Sequence, residues 1–199
     1  MTSSKRRSTG REEELIEAAY RHVAERGISR LSLRPLAESI GSSPGVLIFL
    51  FGSKDGVIRA ILARARRDEL AMLAQLRENA RDATLIDVAR ALWAWLSAPG
   101  HRPVLRLWVE SYGQSLVDTE GPWAGFAQAT VNDWLGILSD LPTDVQPEAV
   151  DAPARCSAVL AALRGCLIDL LATGDEERIE QTVELLFTRI DSPASDRPR

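Results

Sequence analysis

The chain has 199 residues, of which 45% are apolar and 26% charged, and carries a formal net charge of −4. This is ordinary globular composition for one or two domains, and no uninterrupted apolar run approaches the roughly 20 residues of a membrane span. The basic start leads into Glu12-Glu13-Glu14 rather than an apolar stretch, so no secretory leader is expected and the cytoplasm is the expected compartment. The charge is uneven. Residues 1–67 hold 13 Lys and Arg against 7 Asp and Glu, whereas residues 68–199 hold 11 against 21. A basic front on an acidic body points to a polyanionic partner for the front alone.

No segment shows sustained period-two alternation with β-branched residues, so the expected fold class is all-α. Helix 1 is predicted over 10–26, with Thr9 and Glu12 spaced as a capping box and Gly27 as the stop. Its apolar stripe is Leu15, Ala18, Ala19, His22 and Val23. Helix 2 follows Ser32 and ends at Ile40-Gly41, with Pro35 in its first turn. Ser43-Pro44 reads as an N-cap with Pro at the first helical position, opening helix 3. Phe51-Gly52-Ser53 closes helix 3, and Ser53 caps the next one. A long helix then runs from 54 to about 81, followed by helices over 84–97, 103–117, 122–138, 153–172 and 175–190. Residues 192–199, with two prolines and almost no apolar content, read as a disordered tail. The expected organisation is an N-terminal arm and helix-turn-helix domain over 1–53, a helical ligand-binding and dimerisation domain over 54–191, and the tail.

The informative stretch is SLRPLAESIGSSPGVLIFLFGSK, residues 32–54. Two short helices crossing steeply need a small residue at the crossing, a glycine in the turn and apolar residues between them. Ala37, Gly41 and the set Leu36, Ile40, Leu47 and Leu50 meet those needs, which is the helix-turn-helix pattern. The segments AAYRHVAERG (18–27), SLRPLAESIG (32–41) and VLIFLFGSKDGVI (46–58) together resemble the DNA-binding domain of the tetracycline-repressor (TetR) family. The resemblance covers about a quarter of the chain. It implies a dimeric transcriptional regulator whose second motif helix enters the major groove of operator DNA. It also implies a four-helix dimer interface and release from DNA by a small effector.

One departure stands out. The family commonly closes the recognition helix on Leu-Tyr-x-His/Tyr-Phe, whereas this chain has Leu47-Ile48-Phe49-Leu50-Phe51. No Arg, Lys, Asn or Gln is available there for bidentate base reading. Sequence readout is therefore expected from thymine-methyl contact by Val46 and Phe49 and from close approach at Gly45. Arg34, Ser42 and Ser43 are expected to add polar contacts, and Ser32, Ser53 and Lys54 phosphate contacts. The arm Lys5, Arg6, Arg7 and Arg11 is placed to reach the backbone or minor groove, or is simply solvated.

All five tryptophans follow residue 90. Trp93, Trp108, Tyr112, Trp123, Phe126 and Trp134 are candidates for lining a pocket for an apolar or aromatic effector, or else they fill the core. Trp95 stands apart from that set, and Glu110, Gln114 and Asn132 are candidate polar anchors. Helices over 153–172 and 175–190 form the expected homodimer surface. Ala158, Ala161, Ala162 and Gly165 allow close approach there, and Val159, Leu163, Leu167, Leu170 and Leu171 supply apolar area. Ile179, Val183, Leu186 and Ile190 stripe the last helix. Cys156 and Cys166 read as small apolar fillers. No cofactor, metal or membrane is expected, and no catalytic motif is present, so an enzyme is not expected. The competing reading is a dimeric binding module whose helix-turn-helix no longer reads DNA.

Overall fold

The computed structural model describes residues 2–79, 83–139 and 152–191, and among these it is helical throughout. The described helices are α1 (Thr2–Arg26), α2 (Leu33–Ser39), α3 (Pro44–Phe51), α4 (Lys54–Asn79) and α5 (Leu85–Ser97). They continue with α6 (Arg102–Val117), α7 (Phe126–Ser139), α8 (Ala152–Thr173) and α9 (Glu176–Asp191). The expected tail at 192–199 and residues 140–151 lie outside the described residues.

Two expected starts are corrected. Helix α1 begins at Thr2, so Thr9 lies inside it rather than capping it. The Lys, Arg and Glu residues on either side of Gly10 are good helix formers and carry the helix through. Helix α7 begins at Phe126, four residues after Pro122. Residues 122–125 form a turn instead, and Ala127 N–H at the head of α7 donates to Ser115 Oγ of α6 at 3.1 Å. That buried bond satisfies one of the donors a helix start leaves open. At α5, Thr84 and Asp87 form the reciprocal capping box that was expected at α1.

Contacts divide the chain into two compact units, residues 1–70 with 103–130 and residues 71–102 with 131–199. The core of the first gathers Ile16, Ala19, Tyr20 and Val23 of α1, Leu36 and Ala37 of α2, Leu47 of α3, and Val57, Ile58, Ile61 and Leu62 of α4. Leu107 of α6, Trp123 and Phe126 complete it. Arg64 of α4 ties this core to α1. It donates to Glu17 Oε2 at 2.7 Å, pairs with Asp68 and lies 4.9 Å over the Tyr20 ring. Burial first, then the Asp68 charge and hydrogen bond, push the Tyr20 phenol up to about 12.

The second unit packs α8 against α5 and α9. Cys156, Val159, Leu160, Leu163, Cys166, Leu167 and Leu170 are buried along one face of α8. Ile179, Val183 and Phe187 are buried on α9. Val159, Leu163, Leu167, Leu170, Ile179 and Val183 are thus part of the subunit's own core, which corrects their expected place on a dimer surface. Both thiols are buried and free. The opposite face of α8 leaves Ala154, Ala158, Ala161, Gly165, Ile168 and Ala172 exposed, at alternating spacings of four and three. Among the described helices α8 alone is long and apolar enough to cross a membrane, because both its faces are apolar.

Candidate nucleic-acid interface

Helices α2 and α3 meet through Leu36, Ala37 and Leu47, each at most 1% exposed. The turn between them is closed by Ser42 N–H donating to Ala37 O at 2.8 Å, with Gly41 at φ +65°. Ser43 caps α3 as the sequence predicts. Its backbone is extended, its Oγ accepts from Val46 N–H at 3.3 Å, and Pro44 follows. Ser53 Oγ likewise accepts from Gly56 N–H at 3.0 Å and caps α4. Ser32, read from the sequence as the residue before helix 2, occupies the cap position of α2, but its side chain makes no capping bond. Its hydroxyl is exposed and open to an external acceptor.

With Leu47 turned inward, the other side of α3 faces out. Phe49 is 86% exposed and Ile48 40%. Gly45 is exposed and Val46 half-buried. Ser32, Arg34, Ser43 and Lys54 are also exposed. Ser42 departs from this pattern, since its Oγ is enclosed and has no hydrogen-bond partner among the described residues. A phenylalanine this exposed, on a helix made of apolar residues, is unusual for a surface that meets only water. Ile48 is the face residue the sequence reading left out. A helical wheel centred on buried Leu47 places it at the edge of that face.

Gly56 fixes the junction of α3 and α4. A Cβ there would lie 1.8 Å from the carbonyl oxygen of Phe51, so any larger residue forces the backbone apart. Lys5, Arg6 and Arg7 fall on the N-terminal part of α1, and their side chains lie outside those described. Arg11 is exposed.

The aromatic candidates separate. Trp123 and Phe126 belong to the core of the first unit, and Trp108 packs against that core. Trp108 and Tyr112 stand 5.1 Å apart on α6 with their rings tilted by 31°. Trp93 and Trp134 are buried in the second unit. Trp93 Nε1–H donates to Glu180 Oε2 at 2.7 Å. It lines a cavity of about 410 Å³ with Leu170, Glu176, Glu177 and Glu180. Trp95, outside the candidate set, stacks on His101 at 4.3 Å. Gln114 is half-buried and Asn132 exposed. Glu110 accepts hydrogen bonds from Ile28 N–H at 2.9 Å and Ser29 N–H at 2.8 Å. No local pattern pairs residues 82 positions apart. The one sequence sign was Gly27, which breaks α1 and leaves two backbone donors free.

Residues 15–61 match the family described as bacterial regulatory proteins, tetR family. Among curated proteins, the HTH-type transcriptional regulator BetI of Burkholderia thailandensis is 30% identical over 107 residues. The match covers 53% of this chain and 55% of that protein, so the chain spans about half the length of the curated relatives it matches. Among solved structures, the multidrug binding protein EbrR complexed with imidazole is 25% identical with a TM-score of 0.68. That likeness covers 94% of this chain and 93% of EbrR. A TetR transcription regulator from Haloarcula marismortui, 16% identical with a TM-score of 0.70 over 92% and 97% of the two chains, shares the fold.

Proposed function

We propose that this chain, whose residues 15–61 match the TetR family of bacterial regulatory proteins, is a dimeric, ligand-responsive regulator that binds a near-palindromic operator and is released by a small apolar or aromatic effector. The observation that carries this reading is Phe49, 86% exposed in the last turn of α3. Presented to a major groove, its ring exchanges water for thymine methyls, while the exposed Ser43, Arg34 and Lys54 meet sugar-phosphate. Functionally, residues 1–53 read DNA, and residues 54–191 hold the effector and the second copy. The dimer face is the open side of α8 with Leu185 of α9, which is 58% exposed. Small residues at alternating four and three spacing suit a close, coiled-coil-like approach. A near-palindromic operator asks for two recognition helices roughly 34 Å apart, one turn of DNA.

For the effector, the half-buried pair Trp108 and Tyr112 is the favoured aromatic surface. The likeness to EbrR, solved with proflavin and with ethidium, supports a planar aromatic molecule. Effector binding favours a pose of the two helix-turn-helices that no longer fits the operator. The test is fluorescence anisotropy on a duplex from upstream of the chain's own coding sequence, over a range of salt and with proflavin as the probe. Affinity should fall steeply with salt, and Lys54→Ala should lower the salt slope by about one. A salt-independent or absent interaction would reject the reading.

A further inference from the structure

The turn between α1 and α2 is an anion site filled from within the chain. Gly27 ends α1 at φ +85°, a left-handed conformation that side chains disfavour. That geometry turns the next two backbone N–H groups to one side, as in the nests that hold anions. Glu110 of α6 fills the nest. Oε2 accepts from Ile28 N–H at 2.9 Å and Oε1 from Ser29 N–H at 2.8 Å. The fit is close, since a Cβ on Gly27 would meet Oε2 at 3.3 Å. Burial pushes this carboxyl up, but the Ser29 side chain and the two N–H groups outweigh it and hold it below the usual range. Charge-assisted bonds of this kind are among the stronger ones in proteins.

The neighbours of both ends make the contact consequential. Ile28 and Leu31 are buried in the core, Leu31 N–H donates to Ile28 O at 3.0 Å, and α2 begins two residues later at Leu33. The turn and α2 therefore move together. On the other side, Leu107 is buried in the same core, and Trp108 and Tyr112 flank Glu110 on α6.

We propose that Glu110 is a positioning residue that locks the α1–α2 turn onto α6 and so sets the pose in which α2 and α3 meet DNA. The proposal rests on the regulator reading above. A displacement of α6 when Trp108 and Tyr112 engage a ligand passes to the turn through two short bonds, instead of being absorbed in loose packing. Loss of the carboxylate leaves two donors in a half-buried turn without their acceptor and frees the turn.

The experiment pairs amide hydrogen exchange at Ile28 and Ser29 in the full-length protein with binding to the upstream duplex. Glu110→Ala should speed exchange at both amides by about tenfold or more, weaken the duplex by about tenfold, and leave overall helicity intact. Glu110→Gln keeps the shape and one acceptor, so it should speed exchange less; it also serves if the alanine variant does not fold. Unchanged exchange in both variants would overturn the lock. Faster exchange with unchanged duplex affinity would overturn its positioning role. If the unaltered protein binds no duplex, the regulator reading falls, and the exchange rates still decide whether the lock exists.

Discussion

Among the described residues, α3 and α8 each present an open apolar surface, and the two are built in opposite ways. On α3 the exposed residues are bulky, with Phe49 standing 86% clear and Ile48 40% clear. On α8 they are mostly small, with Ala154, Ala158, Ala161, Gly165 and Ala172 exposed and Ile168 as the one large exception. A projecting ring reaches into a groove whose walls are fixed by someone else's chemistry. A flat stripe of alanine and glycine lets a second helix backbone come close, which is how like meets like. Bulk therefore distinguishes the surface proposed for DNA, and its absence the surface proposed for another copy.

The largest expected effect tests the flat surface. Ile168→Arg together with Leu185→Glu puts charges on the proposed dimer face, and sedimentation should show monomers in place of dimers. Affinity for a two-half-site duplex should then fall by about a hundredfold or more, because one half-site cannot hold the protein alone. Dimers that survive both changes would move the interface elsewhere.

Next comes the frame that holds the projecting surface. Gly56→Ala drives a methyl into the Phe51 carbonyl, so the α3–α4 junction must open. Denaturant unfolding should show a loss of about 2–4 kcal/mol. A loss below about 1 kcal/mol would mean the junction is soft and α3 is not rigidly presented.

An acid titration separates the same frame from its surroundings. The Glu110 carboxyl is held below its ordinary value by its hydrogen bonds. A depressed folded-state value means the contribution is complete above the unfolded carboxyl value of about 4.3 and is lost as pH falls through the lower folded one. Wild type should therefore lose stability below about pH 4, and Glu110→Gln should lose less over that window. Parallel curves would contradict the assignment. The smallest effect concerns Ser42. Its enclosed hydroxyl has no partner among the described residues, so Ser42→Ala should leave stability unchanged or raise it by up to about 1 kcal/mol in a thermal melt. A clear loss would mean the hydroxyl is bonded.

What was legible in the sequence was local. Ser43-Pro44 announced the start of α3, and Leu36, Ala37 and Leu47 announced the crossing, because caps and helical spacing act within one or two turns. Gly41 and Gly52 marked the ends of α2 and α3, and both take positive φ. What was not legible depended on distant partners. Glu110 was read as an effector anchor, and its hydrogen bonds lie more than 80 residues away at Ile28 and Ser29. The faces of α8 could not be told apart because both are apolar, so Val159 and Leu163 were assigned outward although the subunit buries them. Trp123 and Phe126 were read as pocket candidates, while the first unit uses them in its core. Aromatic content signals a large buried area without saying where it lies.

The central claim is that the Phe49 ring reads thymine methyl groups in a major groove. The most direct measurement is a double cycle on the upstream duplex, with its thymines replaced one at a time by uracil, which removes only the methyl, and with Phe49→Ala. The account predicts that uracil costs wild type about 1 kcal/mol per contacted methyl and costs the alanine variant almost nothing. Equal losses in both proteins, or none in either, would contradict it.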